Sequence, residues 1–331
     1  MKKNYLLPAI FFLLLFLTGC GEKNTPVSKT GFYFDTVITI TVYDASKEEV
    51  LSRCFELAGD YEDLLSATKE NSDIWKINHA EGKPVKVSEE TAFLLQRALY
   101  YAELTDGLID PSIAPLSSLW DFSSANSETR SVPSDSDIKE RLSHVNYHNI
   151  LIDGTTVTLL DPDASIDLGF IAKGYIADQI KEYLLEEKID SAVISLGGNV
   201  LTVGNKPDHS PYRIGIQKPF ATTGESISSI SVSDLSVVSS GIYERCFEAD
   251  GILYHHILDT HTGYPAENEL AAVTILSSSS LEGDALSTTC FLLGLEDGME
   301  LISSLPDTEA LFITKNGELI VTDGFHLNQS P

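Results

Sequence analysis

The stretch SAVISLGGNVLTVG, residues 191–204, sets two apolar, β-branched runs on either side of Gly197-Gly198-Asn199. A turn this short returns the chain alongside itself, so the segment predicts an antiparallel hairpin. The other strand signals have the same character. FDTVITITVY (34–43) alternates β-branched residues, and short apolar runs recur near 149–152, 156–160, 212–217, 227–232, 271–276, 309–314 and 318–322, the last two joined at Asn316-Gly317. Between them lie segments of helical period. Residues 46–65 repeat Val50, Cys54, Leu57, Ala58, Tyr61 and Leu64; a second helix over about 88–104 opens on Ser88 with Glu89 and Glu90 in its first turn. Two more are expected at about 281–294 and 295–304, whereas SSANSETRSVPSDSD (123–137) reads as a polar loop. There is no internal repeat and no strict βαβ rhythm. The predicted fold is therefore mixed α+β, with largely antiparallel sheets and packed helices.

Composition narrows the function. The 331 residues carry a net charge of −27 and no Lys/Arg cluster, which argues against a nucleic-acid partner. An acidic enzyme that handles a polyanion needs a local cation to overcome that field. The N-terminus has its own logic. Lys2 and Lys3 precede an apolar stretch, Pro8 to Leu17, too short to span a bilayer comfortably, and Leu17-Thr18-Gly19-Cys20 resembles the lipobox of bacterial lipoproteins. That resemblance implies a leader over 1–19, lipidation of Cys20, a polar tether over 20–30 and a single catalytic unit over 31–331. The chain is then expected on the extracytoplasmic face of the cell membrane, because two or more acyl chains anchor stably where one does not. Cys54, Cys246 and Cys290 sit among apolar neighbours without metal spacing and read as buried free thiols.

Three segments carry candidate chemistry. In LEGDALSTTCFLLG (281–294), Asp284 and Thr288 share one helix face. A carboxylate with a hydroxyl suits Mg²⁺, although Asp284 is equally well placed to favour the helix dipole. In YHHILDTHTGYP (254–265), the imidazoles and Asp259 are possible zinc ligands. The segment also reads as a turn in which only one of His255 and His256 faces any given site, and a histidine there suits a base for an incoming hydroxyl. In SIDLGFIAKGYIADQI (165–180), a strand ending at Asp167 feeds a helix opened by Lys173-Gly174, a place to hold an anionic ligand without a Walker or Rossmann loop.

The succession GLIDPSIAPLSSLWDF, SIDLGFIAKGYIAD, VISLGGNVLTVG, SSGIYERCFEADGILYHHILDTHTGYPA and EGDALSTTCFLLG resembles, in order, the ApbE family of FAD:protein FMN transferases. The resemblance implies a T-fold-related catalytic unit. It also implies an activity: Mg²⁺-dependent transfer of the FMN half of FAD, through phosphate, to a threonine or serine of an acceptor redox protein or membrane subunit, with AMP leaving. Asp284, Thr288 and the carbonyl of Phe170 are implied metal ligands. Phe34, Leu108, Ile109, Asp110, Asp167, Lys173 and Ile257 are implied FAD contacts, as is Thr68, which stands where the family commonly has an aromatic that stacks on FAD. Trp75 is a candidate substitute for that ring. His256 is the candidate base, with Asp259 as its orienter or rival. The alternatives are an Mg²⁺-dependent FAD pyrophosphatase, with water as acceptor, and a non-catalytic flavin-binding lipoprotein.

Overall fold

The computed structural model describes residues 25–122 and 130–328, so the leader and Cys20 lie outside the described residues. Strands Val27–Tyr33 (β1) and Thr36–Val42 (β2) come first. Helices Glu48–Leu65 (α1) and Asp73–Asn78 (α2), strand Val85–Lys86 (β3), and helices Glu89–Leu104 (α3), Ala114–Trp120 (α4) and Asp135–Leu142 (α5) follow. Ile150–Asp153 (β4) and Thr156–Leu159 (β5) lead to helix Ala172–Glu186 (α6) and the hairpin Ser191–Leu196 (β6) and Asn199–Gly204 (β7). Next are Tyr212–Gln217 (β8), Ser226–Val232 (β9), Ser236–Gly241 (β10), Cys246–Ala249 (β11), Ile252–His255 (β12) and Leu270–Ser277 (β13). Helix Ser280–Ser304 (α7) and strands Glu309–Thr314 (β14) and Leu319–Val321 (β15) complete the order.

Eight strands form one sheet in the order β1-β2-β6-β7-β10-β13-β14-β15, every ladder antiparallel. Strand alternation sends Ala310 and Phe312 of β14 into the core shared with α7, and Leu311 and Ile313 into the core under the β8–β9 hairpin. Helices α1 and α6 cover the β2–β6–β7 end through Ile38, Ile40, Ile176, Ile180 and Ile194. The mixed, antiparallel reading of the sequence holds.

Four boundaries differ from the sequence reading. Val27–Thr30, assigned to the tether, already pairs with β2, its polar residues facing water on an edge strand. Phe34 and Asp35 do not begin a strand; with φ of 51° and 55° they form the tight turn between β1 and β2. Helix α5 starts at Asp135 inside the segment read as a loop. Its Ser134 side chain accepts from Asp137 N at 3.2 Å, and with Ile138 as its single buried residue the helix shows almost no apolar period. Asp167 ends no strand: apart from a single bridge between Ile113 and Ser165, the approach to α6 is irregular. The break between the two expected C-terminal helices falls at Gly294, whose φ of 82° interrupts α7. Cys54 and Cys290 are buried free thiols and Cys246 is half-buried.

The joint between α6 and α7 organises the centre. Asp178 accepts from Ser280 N (2.8 Å), Leu281 N (2.9 Å) and Ser279 Oγ (2.9 Å), capping α7 from the neighbouring helix. One turn earlier, Gly174 N donates to Asp284 Oδ2 at 2.9 Å. A methyl on Gly174 would collide with the Ser280 carbonyl oxygen and come within 2.7 Å of Asp284 Cβ, both fixed in the core. Gly174→Ala is therefore expected to cost about 3 kcal/mol or more of folding stability, beyond ordinary overpacking, because backbone must move. Urea unfolding measures it; a variant as stable as the parent would show that the helices can part freely.

Candidate functional site

A cleft of about 1270 Å³ opens where the β1–β2 turn, the start of α6, the end of β10 and the first half of α7 meet. A second cavity of about 690 Å³, beside β12, is lined mainly by apolar and aromatic side chains and contains neither Asp284 nor Lys173. The larger cleft exceeds the usual range for drug-sized ligands and has room for a dinucleotide.

Most residues expected at a site converge here. Phe34, Thr68, Leu108, Ile109, Asp110, Asp167, Phe170, Lys173, His256, Ile257, Asp284 and Thr288 all line the cleft. Asp259 does not. Its Oδ1 accepts from His261 N at 2.7 Å, and its backbone closes the turn with Tyr264 and Gly263, so Asp259 builds the loop and makes no hydrogen bond to His256 among the described residues. Trp75 is also elsewhere, stacked on His79 at 4.1 Å between ring centroids. Thr68, exposed at the rim, has no aromatic substitute from that segment.

The centre of the cleft is built from the α6–α7 joint. Gly174 is the third residue of α6, so its N–H has no partner within the helix, and Asp284 supplies one; the Phe170 carbonyl, just before the helix, accepts no hydrogen bond among the described residues. Asp284 is 3 % exposed, and Lys173 Nζ lies 3.5 Å from its Oδ1 and 2.9 Å from the Gly169 carbonyl. Thr288, one turn along α7, has its hydroxyl 3.1 Å from Ser240 Oγ, which is also 2.7 Å from Ser287 Oγ. A carboxylate, a hydroxyl and a carbonyl without a hydrogen-bond partner supply hard-oxygen donors of the kind that fits Mg²⁺. The expected zinc alternative at 254–265 does not assemble: His255 faces the core, bonded to the Ala266 carbonyl at 3.1 Å, and His256 faces the cleft.

Other carboxylates have structural duties. Asp110 Oδ1 accepts from Ser112 N and Oγ, both at 2.7 Å, and its Oδ2 from Tyr147 N at 2.7 Å, while burial raises its pKa. Asp167 Oδ1 accepts from Gly169 N at 2.8 Å and its Oδ2 from Ser117 Oγ at 3.3 Å, shaping the approach to α6.

Charge in the cleft is lopsided. Among the described residues, Asp35, Glu62, Asp110, Asp121, Asp167, Glu244 and Asp284 line it against Lys173 and Arg245 alone. A pyrophosphate entering here needs an added cation. Glu244 was not singled out in the sequence. Desolvation pushes its carboxyl up to about 7, opposed by Lys173 and Arg245 and reinforced by Asp284, while contact with cleft water moderates the effect. Ser240 and Asn199 are further lining residues whose motifs, SSGIYER and LGGN, are visible in the sequence as strand ends and a turn.

Burial pushes His256 down to about 3, with Arg245, His255 and Lys173 acting in the same direction, and its Nδ1 is buried without a partner. His255 is pushed down to about 4 by burial. Both are neutral in the fold at pH 7. A histidine whose folded pKa is depressed contributes stability above its unfolded value near 6.5, lost as pH falls toward 4. Between pH 7 and pH 5, His255 alone is expected to account for about 2 kcal/mol of lost stability. Urea titrations at the two pH values compare the parent with His255→Gln; an equally steep loss in the variant would assign the acid sensitivity elsewhere.

Comparison with known proteins converges on one family. The family model described as "ApbE family" matches residues 34–312. A curated relative from Klebsiella pneumoniae, named FAD:protein FMN transferase, is 41 % identical over 313 residues, covering 94 % of this chain and 96 % of its own. Another of the same name from Treponema pallidum is 32 % identical, covering 95 % and 92 %. The crystal structure of the ApbE protein of Thermotoga maritima superposes with a TM-score of 0.82 at 33 % identity, over 90 % of this chain and 97 % of that one. The flavin transferase ApbE of Vibrio cholerae gives 0.81 at 27 % identity, over 91 % and 98 %. The matches run along nearly the whole length of the described chain, and the chain belongs to the ApbE family.

Proposed function

We propose that this protein is an FAD:protein FMN transferase, which moves the FMN half of FAD onto a threonine or serine hydroxyl of another protein and releases AMP. The relatives' shared name supports the enzyme class. Within the molecule the reading rests on one observation: the buried Asp284 carboxylate, the Thr288 hydroxyl and a Phe170 carbonyl without a hydrogen-bond partner all line the same cleft.

Those three oxygens would hold Mg²⁺, which when bound would neutralise phosphate charge and stabilise the departing oxygen. Lys173 adds the nearest fixed positive charge, and the start of α6 presents its positive end toward the same region. Thr68, Leu108, Ile109, Ile257 and Phe34 would bracket the rings of FAD, with Asp110 and Asp167 holding the loops that present them. His256 faces the cleft with an unpartnered Nδ1 and is the candidate base on position; burial, which holds its pKa far below the value ideal for that role, would have to be offset by the negative charge of the bound nucleotide. The acceptor oxygen attacks the FMN phosphorus, the P–O bond to AMP breaks, AMP leaves with the bonding pair, and the hydroxyl proton passes to the imidazole. Asp259, tied into its own turn, takes no part.

The acceptor belongs to the class of exported or membrane redox proteins, and the chain would meet it at the extracytoplasmic face of the membrane, held by a lipidated Cys20 after removal of residues 1–19. No helix among the described residues is long and apolar enough to cross a membrane. The second reading, a pyrophosphatase that uses water, draws on Thr68: without a ring at this position, a stacking contact of roughly 1 kcal/mol is missing there and water has easier entry.

Incubation of the purified protein with FAD, Mg²⁺ and a threonine-bearing acceptor domain separates the readings. Covalent flavin fluorescence on a denaturing gel together with AMP identifies the transferase; AMP with free FMN and no labelled protein identifies the hydrolase. Asp284→Ala is expected to lower metal-dependent turnover at least 100-fold and to lose Mg²⁺ binding by calorimetry; near-normal turnover at saturating Mg²⁺ would refute the ligand set. Lys173→Ala is expected to weaken FAD binding about tenfold, as loss of one charge-assisted contact implies, and an unchanged dissociation constant would remove Lys173 from the site.

A further inference from the structure

Five buried side-chain atoms among the described residues have no hydrogen-bond partner: Asn199 Nδ2, Ser236 Oγ, His255 Nδ1, His256 Nδ1 and Ser280 Oγ. Only two of their residues, Asn199 and His256, line the cleft. His256 has a part in the proposed reaction; Asn199 has none yet. Asn199 is 2 % exposed, and a buried amide donor without an acceptor is costly enough that such groups are uncommon.

The strand register places this amide. Asn199 begins β7 directly opposite Val238 of β10, so both side chains lie on one face of the sheet. That face is the helix-covered one, since Val238 packs where Gly283 of α7 comes closest. Ser240, two residues along β10, shares the face and bonds the hydroxyl of Thr288. Asn199 is therefore a diagonal cross-strand neighbour of Ser240, about 7–8 Å between backbones, on the strand next to the one whose hydroxyl bonds Thr288. That places the amide in the same part of the cleft as the proposed metal ligand Thr288.

We propose that the Asn199 side-chain amide is a binding donor for a phosphate oxygen of the nucleotide, an inference that rests on the cleft being the FAD site. The residue type suits the task. With seven carboxylates already lining the cleft, a phosphate needs donors that are never charged negative, and a primary amide offers two N–H groups at every accessible pH. Gly197 and Gly198, at φ of 55° and 108°, make the turn that delivers Asn199 at the first position of the strand, and a methyl on Gly197 would come within 2.8 Å of the Thr36 side chain.

Calorimetry on the full-length protein in detergent, with Mg²⁺, tests this using ADP (pyrophosphate without flavin), riboflavin (flavin without phosphate) and FAD. Asn199→Leu is expected to weaken ADP about tenfold or more, the loss of a hydrogen bond to a charged group. The near-isosteric Asn199→Asp is expected to weaken it further, while riboflavin binding changes less than twofold and the melting temperature stays within a few degrees. ADP affinity unchanged in the aspartate variant overturns the proposal, as does an equal loss for ADP and riboflavin, which would mark a structural role. Should the leucine variant fail to fold, the aspartate variant decides alone. Wild-type protein that binds neither FAD nor ADP refutes the functional reading of the cleft and this inference with it.

Discussion

One hydrogen bond, from the backbone of Gly174 to the carboxylate of Asp284, couples the architecture to the chemistry. It joins the first turn of α6 to α7 at a separation that excludes even a methyl group, and Asp178 locks the same two helices one turn further on. The same carboxylate faces the cleft with Thr288 and with the Phe170 carbonyl, which lies just before α6 and accepts no hydrogen bond among the described residues. The scaffold and the proposed cation site thus share Asp284, and Phe170, whose proposed donor is its backbone, borders the cleft with its ring.

Much of this was legible in the chain because the signals were local. The Gly197-Gly198-Asn199 turn, the Ser88 cap and the Gly294 break each follow from a few adjacent residues. The i, i+4 relation of Asp284 and Thr288 is likewise local, and the succession of motifs added the cleft's remaining lining. What escaped notice depends on partners far along the chain. Asp259 was grouped with His256 by proximity in sequence, but the Gly263–Tyr264 turn takes its bonding capacity. The Gly174–Asp284 hydrogen bond spans 110 positions, the Ser240–Thr288 contact 48, and no period or propensity encodes either. Helix α5 was missed for a different reason: with one buried apolar residue it carries a cap and charges but no stripe.

The cleft's electrostatics would run against a pyrophosphate. Seven acidic side chains line it, so under the proposed function binding would be conditional on a cation arriving with or before the nucleotide. Neutral groups, the depressed histidine and the Asn199 amide, would then act on the phosphate without adding to the repulsion. Selectivity for a metal-complexed dinucleotide over free anions would follow from that balance rather than from a large basic patch.

The early start of β1 bears on where the enzyme can work. Because Val27 is already hydrogen-bonded into the sheet, a chain anchored at the proposed Cys20 has seven residue steps of slack, roughly 24 Å when fully extended. The β1–β2 turn, Phe34 and Asp35 at the far end of β1, forms part of the cleft wall. The enzyme would behave as a tethered tool on a short leash, sweeping a thin layer above the bilayer. Its working partners would be those whose acceptor hydroxyl stands within that layer, so the length of the leash would select substrates before any contact is made.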